Sequence, residues 1–115
     1  MKETNRDALR VRDIFNSITA IEQYVKAIDF SSFVQNEMMQ SACIRHLEII
    51  GEASSKISKE LKNSFSEIPW KQIIALRNMV VHEYFRVDLA EIWTTIVQDL
   101  PILKEQVQLV LEHLR

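Results

Sequence analysis

"VRDIFNSITAIEQYVKAI", Val11–Ile28, is the stretch whose reading decides the fold class. Its apolar residues Val11, Ile14, Ile18, Ile21, Val25 and Ile28 alternate spacings of three and four. A half-buried strand needs every second residue apolar, whereas this rhythm lays a single seam along a helix. The following segment, DFSSFVQN (Asp29–Asn36), breaks the seam with serines and supplies capping side chains. A second long helix is predicted over Val34–Lys62, with the stripe Met39, Ala42/Cys43, His46/Leu47, Ile50, Ala53, Ile57 and Leu61. Gly51 interrupts that helix at a cost of about 1 kcal/mol relative to alanine. Close approach of another helix backbone would explain its presence.

The next break is NSFSEIP (Asn63–Pro69). Proline suits the first turn of a helix because its missing N–H would be unpaired there anyway. A third helix is therefore predicted from Trp70 to Val81 or beyond. Asp88 with Glu91 resembles a capping box that opens a fourth helix, Leu89–Gln98. Asp99 and Pro101 restart the chain into a fifth, with the stripe Leu103, Val107, Val110, Leu111 and Leu114. One glycine and two prolines in 115 residues leave too few turn formers for a sheet. The expected architecture is all-α: an antiparallel bundle of about five helices, one domain over residues 1–115.

Composition narrows the function classes. With 47% hydrophobic and 26% charged residues, the chain belongs with neither disordered nor membrane proteins. Uncharged runs such as Ile92–Gln98 fall far short of a bilayer span. The N-terminus MKETNRDALR has no apolar signal region, and the lone Cys43 has no internal disulfide partner. A cytoplasmic location is expected. A net charge of −2 argues against non-specific coating of nucleic acid, and Lys56, Lys59 and Lys62 read as a solvated helix face. Met38, Ile44, Ile49, Val80, Val81, Phe85 and Trp93 lie outside the core stripes. They point to a second buried surface and a two-fold homodimer.

The polar groups of RNMVVHEYF (Arg77–Phe85) stand among apolar residues near the expected end of helix three. Asn78 and His82 are four apart and share a helix face. Arg77 and His82, five apart, differ by about 140° and roughly 7.5 Å along the axis, a gap an arginine spans. No metal-binding pair, HExxH, CxxC, glycine-rich phosphate loop or serine elbow accompanies them. What remains is an imidazole, a permanently charged donor fork and an amide, a set suited to phosphodiester cleavage in RNA without metal or cofactor. Histidine moves the protons of the ribose 2′-hydroxyl and the leaving oxygen, while arginine holds the phosphate. One chain brings one such histidine, and a symmetric dimer would bring the second. Spacing alone leaves a structural reading open as well. A histidine at a helix C-terminus, an Arg77 paired with Glu48 or Glu52, and a half-buried Tyr84 would look the same.

Arg77, four residues, His82, one residue and Tyr84 make up an R-x4-H-x-Y pattern, with Asn78 directly after the arginine. The pattern resembles the signature of HepT-like toxins of the HEPN superfamily. The blocks LEIIGEASSKIS (Leu47–Ser58), IPWKQIIALRN (Ile68–Asn78), YFRVDLAEIW (Tyr84–Trp93) and DLPILKEQ (Asp99–Gln106) are similar to that family in the same order. The resemblance covers most of the chain.

It implies a HEPN-like homodimer acting as a metal-independent endoribonuclease toxin of a type II toxin–antitoxin system. Arg77 and His82 would be catalytic, Asn78 would support them or contact RNA, and transfer RNA is one substrate class it suggests. It also implies a partner, an MNT-type nucleotidyltransferase antitoxin that neutralises the toxin by AMPylation of Tyr84. The alternative is a non-catalytic helical module whose task is to dock that nucleotidyltransferase. Glu83 adds a negative charge beside the expected anionic substrate. Glu52, in GEA, is able to orient Arg77 from helix two and is not counted among the site residues. His46 and Cys43 are read as packing residues, His113 as solvated, and Trp70 and Trp93 as core or interface anchors.

Overall fold

Seven α-helical segments make up most of the computed structural model, which describes residues 3–78 and 88–115. The predicted seam folds into α1 (Glu3–Val25), where Val11, Ile14, Ile18 and Ile21 are all buried. Each such side chain contributes roughly 1.5–3 kcal/mol by leaving water. The helix stops short of Ile28: Ala27 adopts φ 60°, a left-handed conformation that ends α1. Asp29 then caps α2 (Phe30–Val34) by accepting from the Ser32 amide at 2.9 Å, and Phe33 is buried. Asn36 caps α3 (Glu37–Ser55) in the same way, through the Met39 amide at 2.9 Å.

The helix expected over Val34–Lys62 is not continuous. It is divided among the end of α2, α3 and α4 (Lys59–Ser64). The Asp7 carboxylate of α1 causes the second division. It accepts from the Ser58 amide at 2.9 Å and the Ser58 hydroxyl at 2.6 Å, holding Ser58 extended so that it caps α4. Ile57 and Leu61 remain buried on either side of the break, so the apolar stripe carries no trace of it.

Trp70 opens α5 (Trp70–Ala75) after Pro69, and its indole N–H donates to the Phe65 carbonyl at 3.1 Å. The predicted third helix loses its α character after Ala75 and tightens into a 3-10 turn, Leu76–Asn78. Its continuation to Val81 lies outside the described residues.

Asp88 caps α6 (Leu89–Thr94) through the Glu91 amide at 3.0 Å, as the capping signal implied. The expected restart at Asp99–Pro101 does not occur. A π turn (Thr95–Asp99) joins α6 directly to α7 (Leu100–His113). In it the Leu100 amide reaches back five residues to the Thr95 carbonyl. That wider turn makes room for Pro101, whose ring would crowd the preceding turn of a regular helix and which has no N–H to donate.

Both α3 and α7 run antiparallel to α1. Ser17 meets His46 and Asp7 meets Ser58 along α3 and just past its end, while along α7 Glu22 meets Lys104 at 2.7 Å and Asp7 shares a cleft with His113. The core between them includes Ile18, Leu47, Ile50, Leu100, Val107 and Val110. This is the all-α, HEPN-like bundle the sequence implied. Of the surplus apolar residues, Ile44 and Trp93 pack partly against this core, and Ile49 is half-buried. Met38 is 84% exposed, whereas Val80, Val81 and Phe85 lie outside the described residues. No described helix is long and apolar enough to cross a membrane.

Candidate functional site

Arg77 reaches its position because Gly51 has no side chain. A Cβ on Gly51 would overlap the Arg77 backbone nitrogen and stand 2.9 Å from both the Arg77 Cβ and the Ile74 carbonyl oxygen. The α5 helix and the 3-10 turn therefore lie directly on α3 at this glycine, the close approach that its place in a helix interior implied.

The next residue of α3, Glu52, meets the arginine's far end. Its Oε2 lies 3.6 Å from Arg77 Nη1 and its Oε1 lies 3.7 Å from Lys56 Nζ. The Arg77 side chain is 40% exposed and that of Glu52 53%, so water screens the pair. Pairs of this kind contribute about 0–1 kcal/mol to stability. Of Glu48 and Glu52, the two carboxylates the sequence offered as partners, it is Glu52 that lies within ion-pair distance of Arg77. Lys56, read from the sequence as a solvated cation, belongs to the same cluster.

Asn78 ends the 3-10 turn and is exposed. The structure thus places Arg77 and Asn78 side by side at the end of α5, against the C-terminal half of α3. His82 and Tyr84 lie outside the described residues. No group of three or more His, Cys, Asp or Glu residues able to hold a metal ion occurs among the described residues.

Other titratable side chains have local explanations. His46 bridges α1 and α3, its Nδ1 3.0 Å from the Ser17 hydroxyl and its Nε2 3.4 Å from the Tyr24 hydroxyl. Burial, helped by the adjacent Arg45, pushes its pKa below the usual value, so the ring is neutral near pH 7. Burial pushes the Cys43 thiol up to about 11, which keeps it protonated and unreactive. His113 packs on the edge of the Phe65 ring, with centroids 5.2 Å apart. Trp70 is buried, and Trp93 packs against Phe33 and Phe30.

A groove of about 350 Å³ lies between α5 and the π turn with the start of α7. Leu76, Ile73, Leu100, Ile102 and Leu103 line it together with Asp99, and no cation among the described residues does. This apolar lining with its carboxylate offers a phosphate less than the Arg77 guanidinium does.

The family model described as ribonuclease HepT-like matches residues 14–110. A protein of Thermococcus cleftensis named probable ribonuclease HepT is 40% identical over 104 residues, covering 90% of this chain and 93% of its own. A protein of Methanocaldococcus jannaschii named as a candidate RNase is 39% identical over 98 residues, covering 85% and 90%. Another so named, from Caldanaerobacter subterraneus, is 42% identical over 88 residues, covering 76% and 79%. No solved structure matches.

Proposed function

The chain belongs to the HepT-like ribonuclease family, and from that premise we propose that it is a metal-independent endoribonuclease that uses the RNA 2′-hydroxyl as nucleophile. The observation that carries this reading is the placement of Arg77. Its backbone is held against Gly51, its side chain is half-exposed, and the amide-bearing Asn78 follows it in the turn.

In the proposed reaction Arg77 holds a phosphate through its planar fork and offsets the charge that grows on the phosphoryl oxygens. The imidazole of one His82 takes the proton from the 2′-hydroxyl, and the 2′-oxygen bonds to phosphorus. The P–O5′ bond breaks, and the leaving oxygen takes a proton from the second His82, supplied by the other protomer of a homodimer. The products are a 2′,3′-cyclic phosphate and a 5′-hydroxyl, with Asn78 donating to the RNA. Transfer RNA is the proposed substrate class.

The same reading makes the protein the toxin of a type II toxin–antitoxin pair in the cytoplasm. Its proposed partner is an MNT-type nucleotidyltransferase that moves AMP from ATP to the Tyr84 oxygen and releases pyrophosphate. The added negative charge would repel the RNA backbone and shut the site.

Incubating purified protein with RNA and a chelator tests the reading. Cleavage leaving 2′,3′-cyclic ends is expected, with loss of activity in folded His82→Ala. Equal cleavage by that variant would remove His82 from the mechanism. Absence of cleavage by the unmodified wild type, with Tyr84 modified on co-expression with the nucleotidyltransferase, would instead favour a docking module.

A further inference from the structure

The chain as a whole is acidic, with a net charge of −2, so an RNA strand must be met by a local excess of cations. Lys56, Lys59 and Lys62 follow one another in sequence, but the fold gives them different neighbours. Lys62 is half-buried, and burial lowers the pKa of its ammonium against the pull of Asp7 from α1. Lys56 instead closes α3 beside the candidate site. Its Nζ stands 3.7 Å from one oxygen of the Glu52 carboxylate, and Arg77 Nη1 stands 3.6 Å from the other. Neither cation makes a close hydrogen bond there, and one negative charge between two positive ones leaves the group cationic. The Lys56 side chain is 50% exposed and that of Arg77 40%, so each has an open side from which a phosphate can approach.

We propose that Lys56 forms a second phosphate subsite, its ammonium binding the phosphate next to the scissile one on the same RNA strand. The proposal rests on reading Arg77 as the group that holds the scissile phosphate. Two cations that flank one carboxylate stand apart by a distance of the same order as neighbouring phosphates along a strand, so one strand can touch both without folding back. The residue types fit the two places. Orientation matters at the bond that breaks, where the planar fork of arginine stands. Lysine is a compact charge on a flexible stem, and it holds a phosphate without dictating its orientation. The RNA then runs from the 3-10 turn toward the C-terminal end of α3. The smallest well-bound substrate is a trinucleotide, whose two internucleotide phosphates fill both subsites.

Short 2′-deoxy oligonucleotides test this by binding alone, because they lack the nucleophile and are not cut. A dinucleotide with one phosphate and a trinucleotide with two, all of one base, are titrated into the protein by NMR. The trinucleotide should bind wild type more tightly. Lys56→Gln should weaken it about tenfold, the loss of one charge-assisted contact, and should reduce its log–log salt slope by about 0.7, the value for one phosphate contact on a single strand. The dinucleotide's Kd should not move, and Lys56→Arg, which keeps the charge, should restore trinucleotide binding. The exposed pair with Glu52 contributes little to folding, so the denaturation midpoint should stay at the wild-type value. Trinucleotide binding indifferent to Lys56→Gln, or an equal loss for both ligands, overturns the proposal.

Cleavage of the matching RNA trinucleotide in the presence of a chelator gives a second readout. Lys56→Gln should raise KM about tenfold with kcat unchanged, because the contact is the same in the ground state and the transition state. A fall in kcat at constant KM would place Lys56 at the scissile phosphate and overturn the second subsite. A wild type that cuts no RNA, yet shows the Lys56-dependent gain for the second phosphate, counts against the ribonuclease reading and supports the subsite.

Discussion

Gly51 of α3 and Arg77 of the 3-10 turn touch through their backbones, so closely that a methyl group on the glycine would overlap the arginine's amide nitrogen. This contact ties the candidate site to α3, one of the helices that build the central core. It makes the position of Arg77 depend on what stands at residue 51.

Gly51→Ala tests that dependence. Alanine favours a helix interior by about 1 kcal/mol over glycine, but here the clashing atoms are backbone and cannot rotate aside. Overpacking should outweigh the propensity, for a net loss of about 1–2 kcal/mol in urea unfolding. Cleavage should fall by more than the folded fraction does, because the turn is displaced. A Gly51→Ala variant as stable as wild type would show that the backbones are not in contact.

Asp7→Ala addresses the break between α3 and α4. The carboxylate satisfies both the amide and the hydroxyl of Ser58. Removing it leaves those donors without their partner at a half-buried position and loosens the α4 cap. A loss of about 2–3 kcal/mol is expected, read as a lower denaturation midpoint at pH 7. A change within experimental scatter would mean that Ser58 holds its conformation unaided.

His46 should give stability a pH dependence of definite sign. Its folded pKa lies below the usual value of 6.5, through burial first and Arg45 second. The unfolded chain therefore binds more protons, and stability rises with pH across this window. The contribution is fully present above about pH 6.5, the unfolded value, and is lost as pH falls through the lower folded pKa. Urea midpoints measured from pH 8 to pH 5 should show a slope that His46→Gln reduces. An identical slope in the variant would exclude His46 as its source.

Cys43 should resist alkylation. The thiol is buried and its pKa is pushed up to about 11, so at pH 8 the native protein offers almost no accessible thiolate. Iodoacetamide should label it only on unfolding, with a rate in mass spectrometry that follows the denaturant midpoint. Rapid labelling of native protein would show that the α3 core opens locally.

Much of this was legible in the residues. The three-and-four spacing of Val11 to Ile21 announced α1 and the face it buries. Asp88 announced the start of α6, and Asp29–Asn36 announced capping side chains but not the short α2 that lies between them. Gly51 announced a close approach without saying to what. The resemblance carried by Arg77, Asn78, His82 and Tyr84 pointed to the family that the comparisons establish. The break at Ser58 was not legible, because Ile57 and Leu61 keep the apolar rhythm on both sides and the interrupting group sits on α1. Nor was the unbroken run through Pro101. Proline two residues after Asp99 reads as a break, and only the π turn before it reconciles the ring with a helix. Glu48 and Glu52 were equal candidates for Arg77 until packing brought Glu52 within 3.6 Å.

By itself, then, the order of residues determined that this chain is helical, which sides of α1, α3 and α7 face inward, and which family pattern it carries. These are properties of neighbours along the chain, governed by 3.6 residues per turn and by side chains capping their own backbone. The tertiary structure alone decided where the second predicted helix divides, how α6 and α7 join, and which carboxylate meets Arg77. Each of those outcomes depends on how far the π turn widens, or on groups remote in sequence being forced together by close packing. Helical periodicity leaves no mark of such meetings.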